Sequence, residues 1–69
     1  MILNELGKLY SIETVANKLN VSRQTVYAWI EKGSLKALKL GGTVYRVPEK
    51  ELEHFIFKAM YNNNSKEVN

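Results

Sequence analysis

The chain has 69 residues, a net charge of +3, one histidine and no cysteine. A single domain of this size has too little core to wall off a deep substrate cavity, so a binding surface is the expected working part. Without thiols or a second histidine there is no disulfide framework and no zinc ligand set, and no cofactor is implied. Hydrophobic residues make up 45% and charged residues 25% of an ordinary globular composition. No apolar run is long enough to span a membrane and no basic-then-apolar leader opens the chain, so a cytoplasmic, nucleoid-associated protein with no membrane partner is expected.

Residues 1–9 place leucine or isoleucine at 2, 3, 6 and 9, which predicts a weakly ordered segment or a short helical turn. From Ser11 the pattern firms. Ser11 can cap a helix whose apolar residues Ile12, Val15, Ala16 and Leu19 recur at the 3.6-residue period, and Asn20 is suited to end it. Only Val21 then precedes Ser22, a second N-cap candidate. A second helix follows, with Val26, Trp29 and Ile30 on one face and Gly33 as its C-cap. Two short helices joined this tightly must cross steeply. The second then buries its apolar stripe and turns Arg23, Gln24, Tyr27 and Ala28 outward.

After Gly33 the period changes to two. Residues 35–40 and 44–47 alternate around Gly41-Gly42-Thr43, which predicts a β-hairpin whose glycine pair supplies the positive φ angles of a tight turn. Pro48 ends the return strand and suits the first position of a third helix. Glu49 and Glu51 would complement its dipole, and Leu52, Phe55, Ile56, Ala59 and Met60 would line its apolar face. The string Asn62-Asn63-Asn64-Ser65 offers nothing to bury, so residues 62–69 are expected to be a disordered tail. The fold class expected is mostly α with a β-hairpin, a winged helix–turn–helix over residues 10–61, in the order helix–helix–strand–strand–helix.

Charge is distributed unevenly over these elements. Residues 1–20 balance Lys8 and Lys18 against Glu5 and Glu13, and the last third mixes signs. Between them Arg23, Lys32, Lys36, Lys39 and Arg46 face Glu31 alone, a footprint for a polyanion. A helix–turn–helix presents the first turn of its second helix to the major groove of duplex DNA, so that turn needs side chains able to reach bases and phosphates. Arginine pairs bidentately with guanine and glutamine with adenine. Arg23 and Gln24 are therefore the base-reading candidates, with Tyr27 and Ala28 beside them. Ser22 at the cap, with Thr25 and Lys32 on the same helix, is a candidate for the DNA backbone. Lys36, Lys39, Thr43 and Arg46 would hold the hairpin as a wing against the backbone or the minor groove.

Each assignment has a structural alternative. Trp29 at helical spacing from Val26 belongs to the core, and His54 has no partner for ligation or catalysis. Lys36 and Lys39 could simply guard a strand edge, and the Tyr27 ring could rest against Thr25 or the wing. No nucleophile–base set and no phosphate-cradling glycine loop stands in the chain, so it is not expected to be an enzyme.

The stretch "YSIETVANKLNVSRQTVYAWIEKGSLKALKLGGTVYRVPEKELEHFI", residues 10–56, resembles the small winged helix–turn–helix domain of phage and transposon excisionases and of MerR-type regulators. The resemblance implies base reading by Arg23, Gln24 and Tyr27 and flanking-DNA contact by the wing. Its implied partners are double-stranded DNA together with an integrase/recombinase or RNA polymerase, either for an architectural factor in excision or for a small transcription regulator. Thr14 departs from a capping box, which has Glu or Gln there. No long C-terminal coiled coil is expected either, so the free chain should be a monomer or weak dimer that becomes cooperative on DNA. An adaptor using the same basic face on an acidic partner protein remains the reading from a different class.

Overall fold

Two serine caps and two left-handed residues set the first half of the fold. The computed structural model describes residues 7–67, with side chains through Tyr61. In chain order its elements are β1 (Leu9–Tyr10), α1 (Ile12–Leu19), α2 (Arg23–Lys32), β2 (Leu38–Leu40), β3 (Val44–Pro48) and α3 (Glu49–Glu67). This is the winged helix–turn–helix expected from the sequence, with one added strand.

Helix α1 begins where the Ser11 Oγ accepts the Thr14 amide at 3.1 Å, and the Ser11 hydroxyl donates to Thr14 Oγ1 at 3.0 Å. Threonine thus closes the cap with its hydroxyl where a capping box would use a carboxylate. At the other end Asn20 adopts φ 58°, its amide reaches the Asn17 carbonyl, and the Val21 amide reaches the Ala16 carbonyl. That pair of bonds is a Schellman motif, which satisfies carbonyls the helix would otherwise leave orphaned. Helix α2 repeats both devices. Ser22 accepts the Thr25 amide at 3.1 Å, and beyond Gly33 at φ 85° the Ser34 amide returns to the Trp29 carbonyl at 2.9 Å. The whole connection between the helices is Asn20, Val21 and Ser22, and its shortness fixes how they cross.

The wing turns on Gly41 and Gly42, both left-handed, with the Thr43 amide donating to the Leu40 carbonyl at 3.2 Å. This is the geometry that a two-glycine hairpin turn requires. Strands β2 and β3 pair antiparallel, Leu38 opposite Arg46, Lys39 opposite Tyr45 and Leu40 opposite Val44. The first strand is shorter than the alternation implied. Leu35, expected at its start, is instead fully buried in the core ahead of it.

Strand β1 lies outside the sequence expectation for the segment ending at residue 9. Leu9 and Tyr10 pair antiparallel with Pro48 and Val47, so the sheet order is β1-β3-β2. The ladder extends one step further through the Glu49 amide, which donates to the Lys8 carbonyl at 2.7 Å. Pro48, expected at the first position of the helix, is instead the last residue of β3, paired with Leu9, and the helix starts at Glu49. Residues 1–6, also part of that N-terminal expectation, lie outside the described residues. The Tyr10 hydroxyl reaches toward Glu49 Oε2 at 3.4 Å; desolvation first, then the Glu49 carboxylate, push its pKa above the usual value for tyrosine.

Helix α3 continues to Glu67, past Tyr61; residues 68–69, the end of the expected tail, lie outside the described residues. Adding asparagine or serine to a nucleated helix costs only about 0.5 kcal/mol per residue relative to alanine, so propagation tolerates this polar string. The core between the layers is made of Ile12, Val15, Ala16, Val26, Leu35, Val47 and Leu52. Trp29 packs against it and meets the Phe55 ring of α3 at 4.8 Å between centroids.

Candidate nucleic-acid interface

Helix α2 is held by little and exposes much. Its one fully buried residue is Val26, with Trp29 and Ile30 packed against the core from the same side. Helical spacing therefore sends Arg23, Gln24, Tyr27 and Ala28 away from the core, and all four are exposed. Ser22 at the cap is exposed as well, while Thr25 is half-buried with its hydroxyl 2.9 Å from Ser22 Oγ. The cap thus fixes the position of the first turn.

The wing folds back beside that turn. An open groove of about 250 Å³ runs between the heads of α1 and α2 and strand β3. Four residues expected at the site from sequence, Arg23, Tyr27, Thr43 and Arg46, line it together. Gln24, Ala28, Lys32, Lys36 and Lys39 do not line it. Of these, Lys32 lies in the last turn of α2, Lys36 precedes β2, and both are exposed. Arg46 is half-buried, and its guanidinium Nη1 donates to the Tyr45 carbonyl at 2.8 Å, which steadies the side chain along the strand.

Four groove residues were not among the sequence candidates for the site: Ile12 and Val44, which are apolar, and Glu13 and Tyr45, which carry polar groups. Glu13, in the first turn of α1, brings a carboxylate to the groove wall. Tyr45 joins the two halves of the site: its ring meets Tyr27 edge-on, with centroids 5.7 Å apart and planes at 65°. Lys39 Nζ stands over the Tyr45 ring at 5.4 Å from its centroid. The signal for Tyr45 was present in the strand pairing, which sets it opposite Lys39. For Glu13 nothing local in the sequence distinguished a groove carboxylate from a dipole-favoured residue in a helical first turn.

Chemically the groove offers two guanidinium groups, a hydroxyl, two phenols and a carboxylate around an open floor, flanked by further cations. It contains donors for phosphates and base edges but no histidine or thiol. Among the described residues no cluster of three metal-ligating side chains occurs, and no helix is long and apolar enough to cross a membrane.

No curated protein and no solved structure matches the chain. The family described as "Helix-turn-helix domain" matches residues 9–58, which run from β1 through the wing into α3 and make up most of the sequence. With the two capped helices, the three-residue turn and the wing all inside that match, the chain belongs to this family of DNA-binding helix–turn–helix domains.

Proposed function

We propose that the chain is a sequence-specific duplex DNA-binding protein whose α2 enters the major groove while the hairpin lies on the backbone or in the minor groove. The observation that carries this reading is the shared groove: the exposed first turn of α2 and the wing meet through Arg23, Tyr27, Thr43 and Arg46. One rigid surface can then engage a base edge and the adjoining backbone at once.

Roles follow from chemistry and position. Arg23 and Gln24 read base edges, with Tyr27 and Ala28 shaping the contact beside them. Ser22 and Thr25 at the helix head, where amides and dipole favour an anion, hold one phosphate track. Lys32, Lys36, Lys39, Thr43 and Arg46 hold the flanking backbone. Glu13 repels phosphate but can accept a hydrogen bond from a cytosine amino group, so it favours bases over backbone at the groove wall. The resemblance to excisionases and MerR-type domains supports an architectural or regulatory role, with a recombinase or RNA polymerase as the further partner. The free protein is a monomer or weak dimer that binds adjacent sites cooperatively, since one small module buries limited surface on DNA.

Fluorescence anisotropy on a selected duplex and a scrambled duplex, at several salt concentrations, tests this. The expected outcome is tighter binding to the selected site and a linear fall of log affinity with log salt, about 0.9 per phosphate neutralised. Equal affinity for both duplexes removes the reading role of α2. Absence of binding to either moves the adaptor reading ahead.

A further inference from the structure

The wing carries its exposed apolar side chains at the tip. Leu40 and Val44 flank the Gly41-Gly42 turn, stand opposite each other in the ladder and are exposed by 46% and 43%. Directly opposed residues share one face of a ribbon, so the two side chains form a single apolar ridge. A Cβ added at either glycine would meet nothing within 4 Å among the described residues, which leaves the ridge ending in a slim turn surrounded by open space. The core takes Leu35 and Val47 from this region and leaves Leu40 and Val44 outside it. Opposed threonines would hold a hairpin equally well, so pairing alone does not call for an apolar tip.

Cations stand on both faces of the same ribbon. Lys39 shares a face with Tyr45, the ring that meets Tyr27 of α2, and its Nζ lies 5.4 Å from the Tyr45 centroid. Arg46, one residue beyond Tyr45, falls on the other face with Leu40 and Val44. Thr43, Val44 and Arg46 also line the groove that contains Arg23 and Tyr27, which makes the ridge continuous with the surface proposed to meet DNA. Laid on phosphates, an apolar ridge would strip water from charges and give nothing back. Inside a groove it meets bases, with a phosphate wall on either side for the cations. The minor groove is about 6 Å wide and the strands of a ribbon are about 4.8 Å apart, so the glycine turn enters freely and the ridge enters only by opening the groove.

We propose that Leu40 and Val44 form a wedge that enters the minor groove, partly unstacks one base step and kinks the duplex toward the major groove occupied by α2. This rests on the DNA-binding reading above and commits the wing to the minor groove. Apolar wedges kink DNA in that direction by on the order of 20–90°. The kink closes the duplex around α2, and the added contact offsets the unstacking. Steps that unstack readily, TA and CA/TG, are favoured beneath the tip, which gives sequence preference at positions that Arg23 and Gln24 do not touch.

The test uses full-length protein on a selected duplex carrying 2-aminopurine at each step of the flanking minor groove in turn, and on the same duplex labelled at its ends with a donor and an acceptor dye. The wild-type protein should raise 2-aminopurine fluorescence at one step and shorten the end-to-end distance. Leu40→Thr with Val44→Thr, which keeps residues suited to strands, should abolish the fluorescence rise and most of the bend. Affinity should fall about tenfold with the lost apolar burial, while the selected duplex is still preferred over a scrambled one because Arg23 and Gln24 are unchanged. Leu40→Met with Val44→Ile, which keeps the tip apolar, should retain both signals, and circular dichroism checks that each variant is folded. A wild-type complex that prefers the selected duplex yet leaves it straight and stacked overturns the wedge and spares the reading role of α2. A folded threonine variant that bends and unstacks DNA as the wild type does also overturns it. Absence of binding to either duplex overturns the wedge and the DNA-binding reading together.

Discussion

Helices α1 and α2 are built with the same ends and opposite middles. Each starts on a serine whose Oγ accepts the amide three residues on at 3.1 Å, and each closes on a left-handed residue with a Schellman pair of bonds. Between those ends α1 buries Ile12, Val15 and Ala16 out of eight residues, whereas α2 buries Val26 alone out of ten. Matching caps give both helices definite ends without help from packing. The helix that gives fewer residues to the core therefore leaves more of its surface for a partner. Residues that hold the fold and residues proposed to meet DNA are concentrated in different helices, and substitutions in the two should have different consequences.

The largest expected effect lies in α1. Ile12 is buried to 6% exposure, and Ile12→Ala should cost about 2–5 kcal/mol of stability, from lost transfer energy together with the cavity left behind. Chemical denaturation measures this directly, and a loss below about 1 kcal/mol would break the comparison at its stronger end. In α2 the corresponding change is one of recognition. Arg23→Ala or Gln24→Ala should weaken the preferred duplex by about 1–3 kcal/mol, with a scrambled duplex much less affected. Stability should stay within about 0.5 kcal/mol, since both side chains are exposed. Should either variant lose both duplexes by the same factor, that residue is a backbone contact and α2 does not read through it.

The two helices were legible in the sequence to within a residue because their boundaries are written locally. Ser11, Asn20, Ser22 and Gly33 each satisfy backbone groups no more than a few positions away. The hairpin turn was legible for the same reason, two glycines being sufficient to specify it. What escaped was non-local. Strand β1 exists because Leu9 and Tyr10 meet Pro48 and Val47 nearly forty positions on, and a two-residue strand has no periodicity to detect. Leu35 fits an alternating strand as well as it fits a core position, and tertiary packing decided for the core. At the interface, exposure of Arg23, Gln24, Tyr27 and Ala28 followed from helical spacing. The convergence of Tyr27 with Tyr45 needed the wing's placement, which no local pattern encodes.

The shared caps allow a finer test. Ser11→Ala and Ser22→Ala should each cost about 1 kcal/mol of stability, because the two bonds have the same length and the same chemistry. In a domain of this size that is a fall in Tm of about 4–8 °C. Binding should distinguish them, since only Ser22 stands at the head of α2, the proposed recognition helix. Ser11→Ala should leave DNA affinity of the folded protein unchanged, and Ser22→Ala should lower it for all duplexes. If the two variants bind DNA equally well, Ser22 is a cap and nothing more, and the proposed phosphate contact is lost.

The smallest effect expected concerns the seam between α2 and the wing. Tyr27 is 42% exposed and meets Tyr45 edge-on, a contact worth about 0.5–1.5 kcal/mol beyond buried area. A cycle of Tyr27→Leu, Tyr45→Leu and the double variant should show coupling of that size in unfolding free energy, with the leucines retaining apolar bulk. The same cycle read in DNA affinity tells what the seam is for. If the ring pair serves to hold the wing at a fixed angle to α2, each single variant loses affinity for selected and scrambled duplexes alike, and the double variant loses little more than either. If Tyr27 instead contacts a base, Tyr27→Leu lowers discrimination while Tyr45→Leu does not, and the binding effects add. The geometry favours the first outcome, because the Tyr27 ring is already engaged by Tyr45, and Lys39 holds that ring from the other strand. Additive binding effects with lost discrimination would move Tyr27 from the seam to the bases, and would place more of the reading on α2 than Arg23 and Gln24 alone supply.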